Sequence, residues 1–277
     1  MEVVKRSSET DRNNSVSRDD KDIIDIVRNT ILDATGHDVH RADAMLAKTL
    51  SIHGDKFGDW GDFIKVWSSC NLCRLGHIRS SPCVGSGPLN PSLSILGEAP
   101  GPQEDKAGVP FVGPTGTLLR DTLKKIGIST EQDVYFTNVL ACIPKDTKES
   151  RFRSPTPSEI TACMPRLRRI YEEIMERSEV ILVMGKIAYL GWRVLTDPQT
   201  DYTSMQSKIR MKDILGWQEA KSESMPMIYV TYHPSYIERQ RSYNPESFKE
   251  IYQQWIFDLV AVKKYLDKKE IRNVRSI

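Results

Sequence analysis

The run Val180-Ile181-Leu182-Val183-Met184 has no polar position in it, and this restricts the available folds more than any other stretch. A strand that faces solvent on one side alternates apolar with polar residues. A run without alternation asks for burial on both faces, the environment of a parallel strand covered by helices. Three other short runs sit at intervals along the chain: Leu93-Ser94-Ile95-Leu96, Val134-Tyr135-Phe136-Thr137 and Met227-Ile228-Tyr229-Val230-Thr231. Helical patterns separate them. Leu118, Leu119, Leu123 and Ile126 share one side of a helix closed by Gly127, where a helix end favours glycine. Thr156, Pro157 and Glu159 give the N-cap, first position and capping box of another. Helices are also expected from Lys186 to Leu195 and from about Pro245 to Lys268, whereas residues 197–225 show no readable element. Alternating strands and helices predict an α/β fold, a three-layer α/β/α arrangement on a central four-stranded parallel sheet.

The N-terminal part reads differently. Residues 1–19 are polar, without apolar period, and are expected to form a disordered tail. Residues 20–60 carry Ile23, Ile24, Ile26, Val27, Ile31 and Leu32 at helical spacing, a helical extension that would pack on the main domain or bind a protein partner. The main domain is expected over residues 61–277. No apolar run approaches the roughly 20 residues of a membrane span, and Met1 to Arg6 has no signal-peptide core, so no membrane association and retention inside the cell are expected. A net charge of +2 makes the whole chain no strong polyanion binder. Lys145, Lys148, Arg151 and Arg153 leave room for a local basic face. Arg166, Arg168 and Arg169 read as a solvated, salt-bridged helix surface.

Ligands of open α/β sheets bind beyond the carboxyl ends of the strands. The first strand runs into Gly97-Glu98-Ala99-Pro100-Gly101 and on to Pro110-Phe111-Val112-Gly113. Gly97 and Gly101 let backbone approach a ligand closely. The second strand exits at Asn138 and the fourth at His233, so Glu98, Asn138 and His233 converge on one sheet edge. An asparagine amide can donate and accept at once, which suits a pyrimidine edge but also other ligands or loop capping. A histidine there can donate to developing negative charge. Phe111 could stack on a flat ring or plug the loop from beneath. Glu98 could act as a base or brace the loop. Five cysteines, in a chain expected to stay in a reducing compartment, point to metal or catalysis before disulfides. Cys70 and Cys73 form a C-x-x-C pair.

Gly97-Glu98-Ala99-Pro100-Gly101-x-x-Glu104-Asp105-x-x-Gly108-x-Pro110-Phe111-Val112-Gly113-x-x-Gly116 resembles the first motif of the family-4, iron–sulfur uracil-DNA glycosylases. Thr137-Asn138-Val139 before Cys142 resembles their second motif, and His233-Pro234-Ser235 their third. The resemblance covers about Phe63 to the end. It implies hydrolysis of the N-glycosidic bond of deoxyuridine, with the base flipped into a pocket. Gly97, Ala99 and Gly101 would line that pocket and Phe111 would stack on uracil. Asn138 would read the uracil edge and His233 would stabilise the departing anion. Cys70, Cys73, Cys142 and Cys163 would hold a structural four-iron four-sulfur cluster, with zinc as the alternative and Cys83 left as a free thiol. Ser235, Tyr236, Ile237 and Arg239 would face DNA, Tyr236 or Ile237 as a wedge and Arg239 at phosphate; packing of this loop on the last helix is the competing reading.

The chain departs from the family pattern in places. Ala99 stands where some relatives have a catalytic aspartate, which leaves Glu98 to position water or only organise the loop. Glu238 replaces a usually apolar residue, Cys142 is followed by Ile143-Pro144-Lys145, and the interval from Cys142 to Cys163 is long. The expected protein is a monomer acting on single- and double-stranded DNA, in the cytoplasm or nucleoid, or in the host cell if viral. A non-catalytic damage-binding module and a glycosylase for another deaminated base such as hypoxanthine are the two competing functions.

Overall fold

The computed structural model describes residues 60–275 apart from 148, 198 and 219–224. The tail and almost all of the helical extension expected from the sequence lie outside the described residues. Helices α1 (Trp60–Ser68) and α2 (Leu75–Ile78) lead into strand β1 (Leu93–Gly97). Helices α3 (Pro102–Ala107) and α4 (Pro114–Lys125), strand β2 (Val134–Asn138) and helix α5 (Pro157–Glu173) follow. Then come β3 (Val180–Met184), α6 (Lys186–Thr196), α7 (Tyr202–Lys208), β4 (Gly216–Gln218), β5 (Met227–Thr231), α8 (Pro234–Tyr243) and α9 (Pro245–Arg275). No described helix is both long and apolar enough to cross a membrane.

The sheet has the order β2-β1-β3-β5-β4. β1 pairs in parallel with β2 and β3, and β3 with β5. The period of two along each strand divides the core in two. Leu93 and Ile95, Val134 and Phe136, Val180, Leu182 and Met184, and Tyr229 face a cluster with Leu119, Leu123, Trp255 and Leu259 of α4 and α9. Their alternates Leu96, Tyr135, Ile181, Val183, Ile228 and Val230 face a cluster with Phe63, Trp67, Leu167, Ile170 and Leu190 of α1, α5 and α6. Both faces are therefore covered by helices, as an uninterrupted run such as Val180–Met184 requires.

The sheet has five strands and not four. β4 runs antiparallel to β5, with Trp217 opposite Tyr229. It falls in the stretch that showed no readable element, because three residues are too few for a period. Tertiary packing makes it: the Trp217 ring sits edge-on to Tyr229 at 4.8 Å and lies 5.0 Å from Tyr265. The α5 start is as the sequence predicts, with Thr156 Oγ1 accepting from the Glu159 N–H and the Glu159 carboxylate accepting from the Thr156 N–H.

Candidate active site

The chain leaves β1 toward β2 on one side and later reaches β3 on the other, so the sheet has a switch point beside β1. At this edge Gly97, Asn138, Gly185 and His233 stand at or just past the ends of β1, β2, β3 and β5. Gly97 is opposite Asn138 in the strand register. A Cβ on Gly97 would lie 2.2 Å from Oδ1 of Asn138 and 2.7 Å from Cζ of Phe111. Only glycine allows the amide and the ring to close on the main chain there. Asn138 is buried, and its side-chain amide has no hydrogen-bond partner among the described residues. Its main chain is tightly fixed, with the Val139 and Leu140 N–H groups donating to the carbonyls of Gly97 and Glu98 at 2.9 and 3.0 Å.

The loop between β1 and α4 contains the short helix α3, which its glycines and prolines hid from the sequence reading. Glu104 closes this loop as a clasp. Its carboxylate accepts from the Gly101 N–H at 3.1 Å and the Gly113 N–H at 2.7 Å, joining the two helix starts. Phe111 has φ of 56°, the left-handed region that a bulky residue rarely occupies. Arg120 holds it there by donating to the carbonyls of Phe111 at 2.9 Å and Pro110 at 3.2 Å, with its guanidinium 3.9 Å above the Phe136 ring. A Cβ on Gly116 would meet the Phe111 carbonyl carbon at 2.2 Å, so α4 can approach only through glycine. The Phe111 ring is 5% exposed, 5.6 Å from Phe136 and 6.2 Å from the His233 ring.

His233 caps α8. Its Nδ1 accepts from the Ser235 N–H at 3.1 Å and lies 2.7 Å from the Ser235 hydroxyl, which in turn accepts from Arg239 at 3.2 Å. Nδ1 is thus an acceptor, and a neutral ring carries its proton on Nε2. Burial, with Arg239 adding to it, pushes His233 down to about 4. Burial pushes the Glu98 carboxyl above its ordinary range, against the pull of Arg239. The buried Tyr202 phenol is pushed up to about 12 by burial and by the charge of Glu98, and its hydroxyl has no partner among the described residues.

The segment expected to face DNA is a helix, α8. Ile237 is 0% exposed and packs in the core with Trp255 and Leu259, which rules it out as a wedge and matches the packing reading. Tyr236 is partly buried and stacks on Tyr232 at 4.8 Å with 21° between planes. Ser235 serves His233, and Arg239 is exposed. The Arg166 expected on a solvated surface is 0% exposed. Arg169, one turn away, does pair with Glu173.

Cys70, Cys73, Cys142 and Cys163 line one small cavity with Trp67, Leu72, Arg79 and Ala162. None of the five cysteines is in a disulfide. Burial, and then the charge of Cys163, pushes the thiols of Cys70, Cys73 and Cys142 up. Arg79 donates to Sγ of Cys142 at 3.1 Å and to the Ser68 carbonyl at 2.8 Å. Among the described residues no three His, Cys, Asp or Glu side chains close into a set for one metal ion. Cys83 is buried elsewhere, its thiol donating to the Glu104 carbonyl at 3.0 Å.

Arg120, Arg79 and Tyr202 have no reading from the sequence, Glu104 stands in the first motif without a role, and Arg166 is read there as surface. Glu104 had a signal, as the third residue of a helix opening at Gly101. Arg166 had one too, lying between Cys163 and Leu167 on the face that also carries Ile160 and Ile170.

Comparison with known proteins gives the family. The family described as the Uracil DNA glycosylase superfamily matches residues 84–256. A protein of Sulfurisphaera tokodaii named Type-4 uracil-DNA glycosylase is 34% identical over 187 residues, 66% of this chain and 79% of the relative. Proteins of the same name from Thermotoga maritima and Saccharolobus solfataricus are 36% and 30% identical, over 62% and 73% of this chain and 80% and 84% of theirs.

Proposed function

The chain belongs to the uracil-DNA glycosylase superfamily, and on that premise we propose that it hydrolyses the N-glycosidic bond of deoxyuridine in DNA, the first step of base-excision repair. Its substrate is DNA, and its working domain is residues 61–277. The observation that carries the site assignment is that Phe111 stands with Asn138 beside Gly97 and with its ring 6.2 Å from that of His233, at one sheet edge. The Asn138 amide has no hydrogen-bond partner among the described residues, and His233 has Nδ1 committed to Ser235 and so Nε2–H available.

The chemistry follows from charge. As the bond between C1′ and N1 breaks, the sugar gains positive charge and the base leaves as an anion, its charge shared between N1 and O2. A neutral Nε2–H donor at O2 strengthens as that charge grows, which lowers the barrier. An imidazole pushed down to about 4 stays neutral at working pH, so it donates without handing over its proton. Asn138 takes the two-way amide pairing with the uracil edge, and Phe111 with Gly97, Ala99 and Gly101 shapes the pocket. Water then adds its oxygen to C1′ and gives up a proton. Glu98, the carboxylate beside the pocket, accepts or orients that proton in place of the aspartate that Ala99 lacks.

Cys70, Cys73, Cys142 and Cys163 hold a four-iron four-sulfur cluster. The fit rests on four sulfurs that line one cavity and on Arg79, which supplies a positive donor to the Cys142 sulfur. The cluster ties the Cys142 loop and α5 to the start of the domain. Tyr236 and Arg239 contribute to the DNA-facing surface.

The test is an oligonucleotide with one uracil, incubated with the full chain and then treated with alkali to cut abasic sites. Cleavage that depends on both protein and uracil is expected. No cleavage from folded protein overturns the assignment, and inosine is the comparison substrate for base range.

A further inference from the structure

Arg166 is a fully buried guanidinium on α5, and its terminal nitrogens spend all their donors on main chain and one hydroxyl. Nη2 donates to the carbonyls of Asn138 at 2.5 Å and Val139 at 2.9 Å. Nη1 donates to the Val84 carbonyl at 2.6 Å and the Thr137 hydroxyl at 3.2 Å. No ion pair to Arg166 is found among the described residues. A buried charge without a counter-ion is costly, and it is tolerated here because carbonyl dipoles replace its water. Such an arrangement is directional, since each bond of the two terminal nitrogens has its own acceptor, while Nε has none among the described residues.

Two of the three carbonyls it takes are those of the residue at the end of β2 and the next one. The N–H groups of Val139 and Leu140 are already held by Gly97 and Glu98. With both sides of these peptides bonded, the main chain that follows Asn138 is held in place, and with it the point from which the side chain starts. The same guanidinium stands one helical turn after Cys163, so the cysteine helix and the strand end are joined through it.

We propose that Arg166 is a positioning residue for uracil recognition: it latches the main chain at Asn138 to the helix that carries Cys163. This rests on Asn138 reading the base. On that footing, loss of the latch weakens uracil binding while His233, past the end of another strand, keeps its own bonds to Ser235.

The experiment uses the full, cluster-loaded chain with R166K, T137V and N138A. Inhibition by free uracil and single-turnover excision give binding and chemistry separately, and amide hydrogen exchange reports the latch. R166K should weaken uracil inhibition about tenfold, the scale of one charge-assisted hydrogen bond, and raise KM more than it lowers kcat. Exchange at Val139 and Leu140 should speed up while Ile181 to Val183 stay protected. T137V, which removes one acceptor and keeps its shape, should shift the same readouts by less, and it carries the test if R166K does not fold. Uniform loss of protection across both strands, or unchanged uracil inhibition with faster Val139 exchange, overturns the proposal and leaves Arg166 a packing residue. N138A with full activity and undiminished uracil inhibition would instead sink the reading of Asn138 itself, whatever Arg166 does.

Discussion

The Ser235 backbone N–H and hydroxyl both point at Nδ1 of His233, at 3.1 and 2.7 Å, and this pair decides where the imidazole keeps its proton. With Nδ1 occupied as an acceptor, the neutral ring has Nε2–H as its only donor.

His233 should therefore be neutral and Nε2-protonated well below ordinary histidine titration. Its folded value of about 4 lies below the unfolded value of 6.5. Between those two values the unfolded chain binds a proton that the folded one refuses, so this ring's contribution to stability is present above 6.5 and lost as pH falls toward 4. Nitrogen chemical shifts of His233 across pH 4 to 8 check this, and a midpoint near 6.5 would count against it. H233A should lower kcat by about 10²–10³, as for one lost oxyanion donor, and S235A by less.

Gly97→Ala should disable the pocket with little loss of fold. The added carbon would meet the Asn138 amide at 2.2 Å and the Phe111 ring at 2.7 Å, both of which must move. A displacement of about 1 Å at a reacting centre can cost about 10² in rate. Single-turnover excision beside thermal unfolding checks the contrast; full activity would place the base elsewhere.

Glu104→Gln should weaken the clasp between Gly101 and Gly113, because a neutral amide can accept at one oxygen only. Loss of a buried charge-assisted bond costs about 1.5–3 kcal/mol. Denaturant unfolding should show a loss of that order, with a raised KM for uracil DNA from a looser Phe111 loop.

Iron analysis of purified protein should give about four iron per chain with acid-labile sulfide. Cys163→Ser should lose the visible absorbance and expose the segment from Ile143 to Pro155 to protease, since the cluster anchors both of its ends. One zinc per chain and a colourless protein would reverse the assignment.

Much of this was legible before the coordinates. Val180–Met184 is apolar throughout because both faces of its strand are covered, and Thr156-Pro157-Glu159 announced α5 through local hydrogen bonds alone. Asn138 and His233 could be placed together because strand ends share an edge. What escaped notice depends on contacts remote in sequence. Three residues of β4 have no period, and Trp217 finds its partners only in the folded sheet. α8 has a weak apolar stripe, so Ile237 read as surface. Arg166 was misjudged because residue type outweighed position. Its neighbours on the helix wheel are core residues, and the carbonyls that accept it come from residues 84, 138 and 139.

One side of the proposed pocket is formed by the ends of parallel strands. Gly97, Asn138, Gly185 and His233 are bound to a sheet buried on both faces, and moving one of them means shearing the sheet. That side of the site is a stiff mould, and the larger part of the motion that brings a base to it falls to the nucleic acid. Stiffness of the strand around a lesion then becomes a kinetic variable: a uracil that is mispaired or in a single strand needs less unstacking to reach the mould than one locked in a stable duplex.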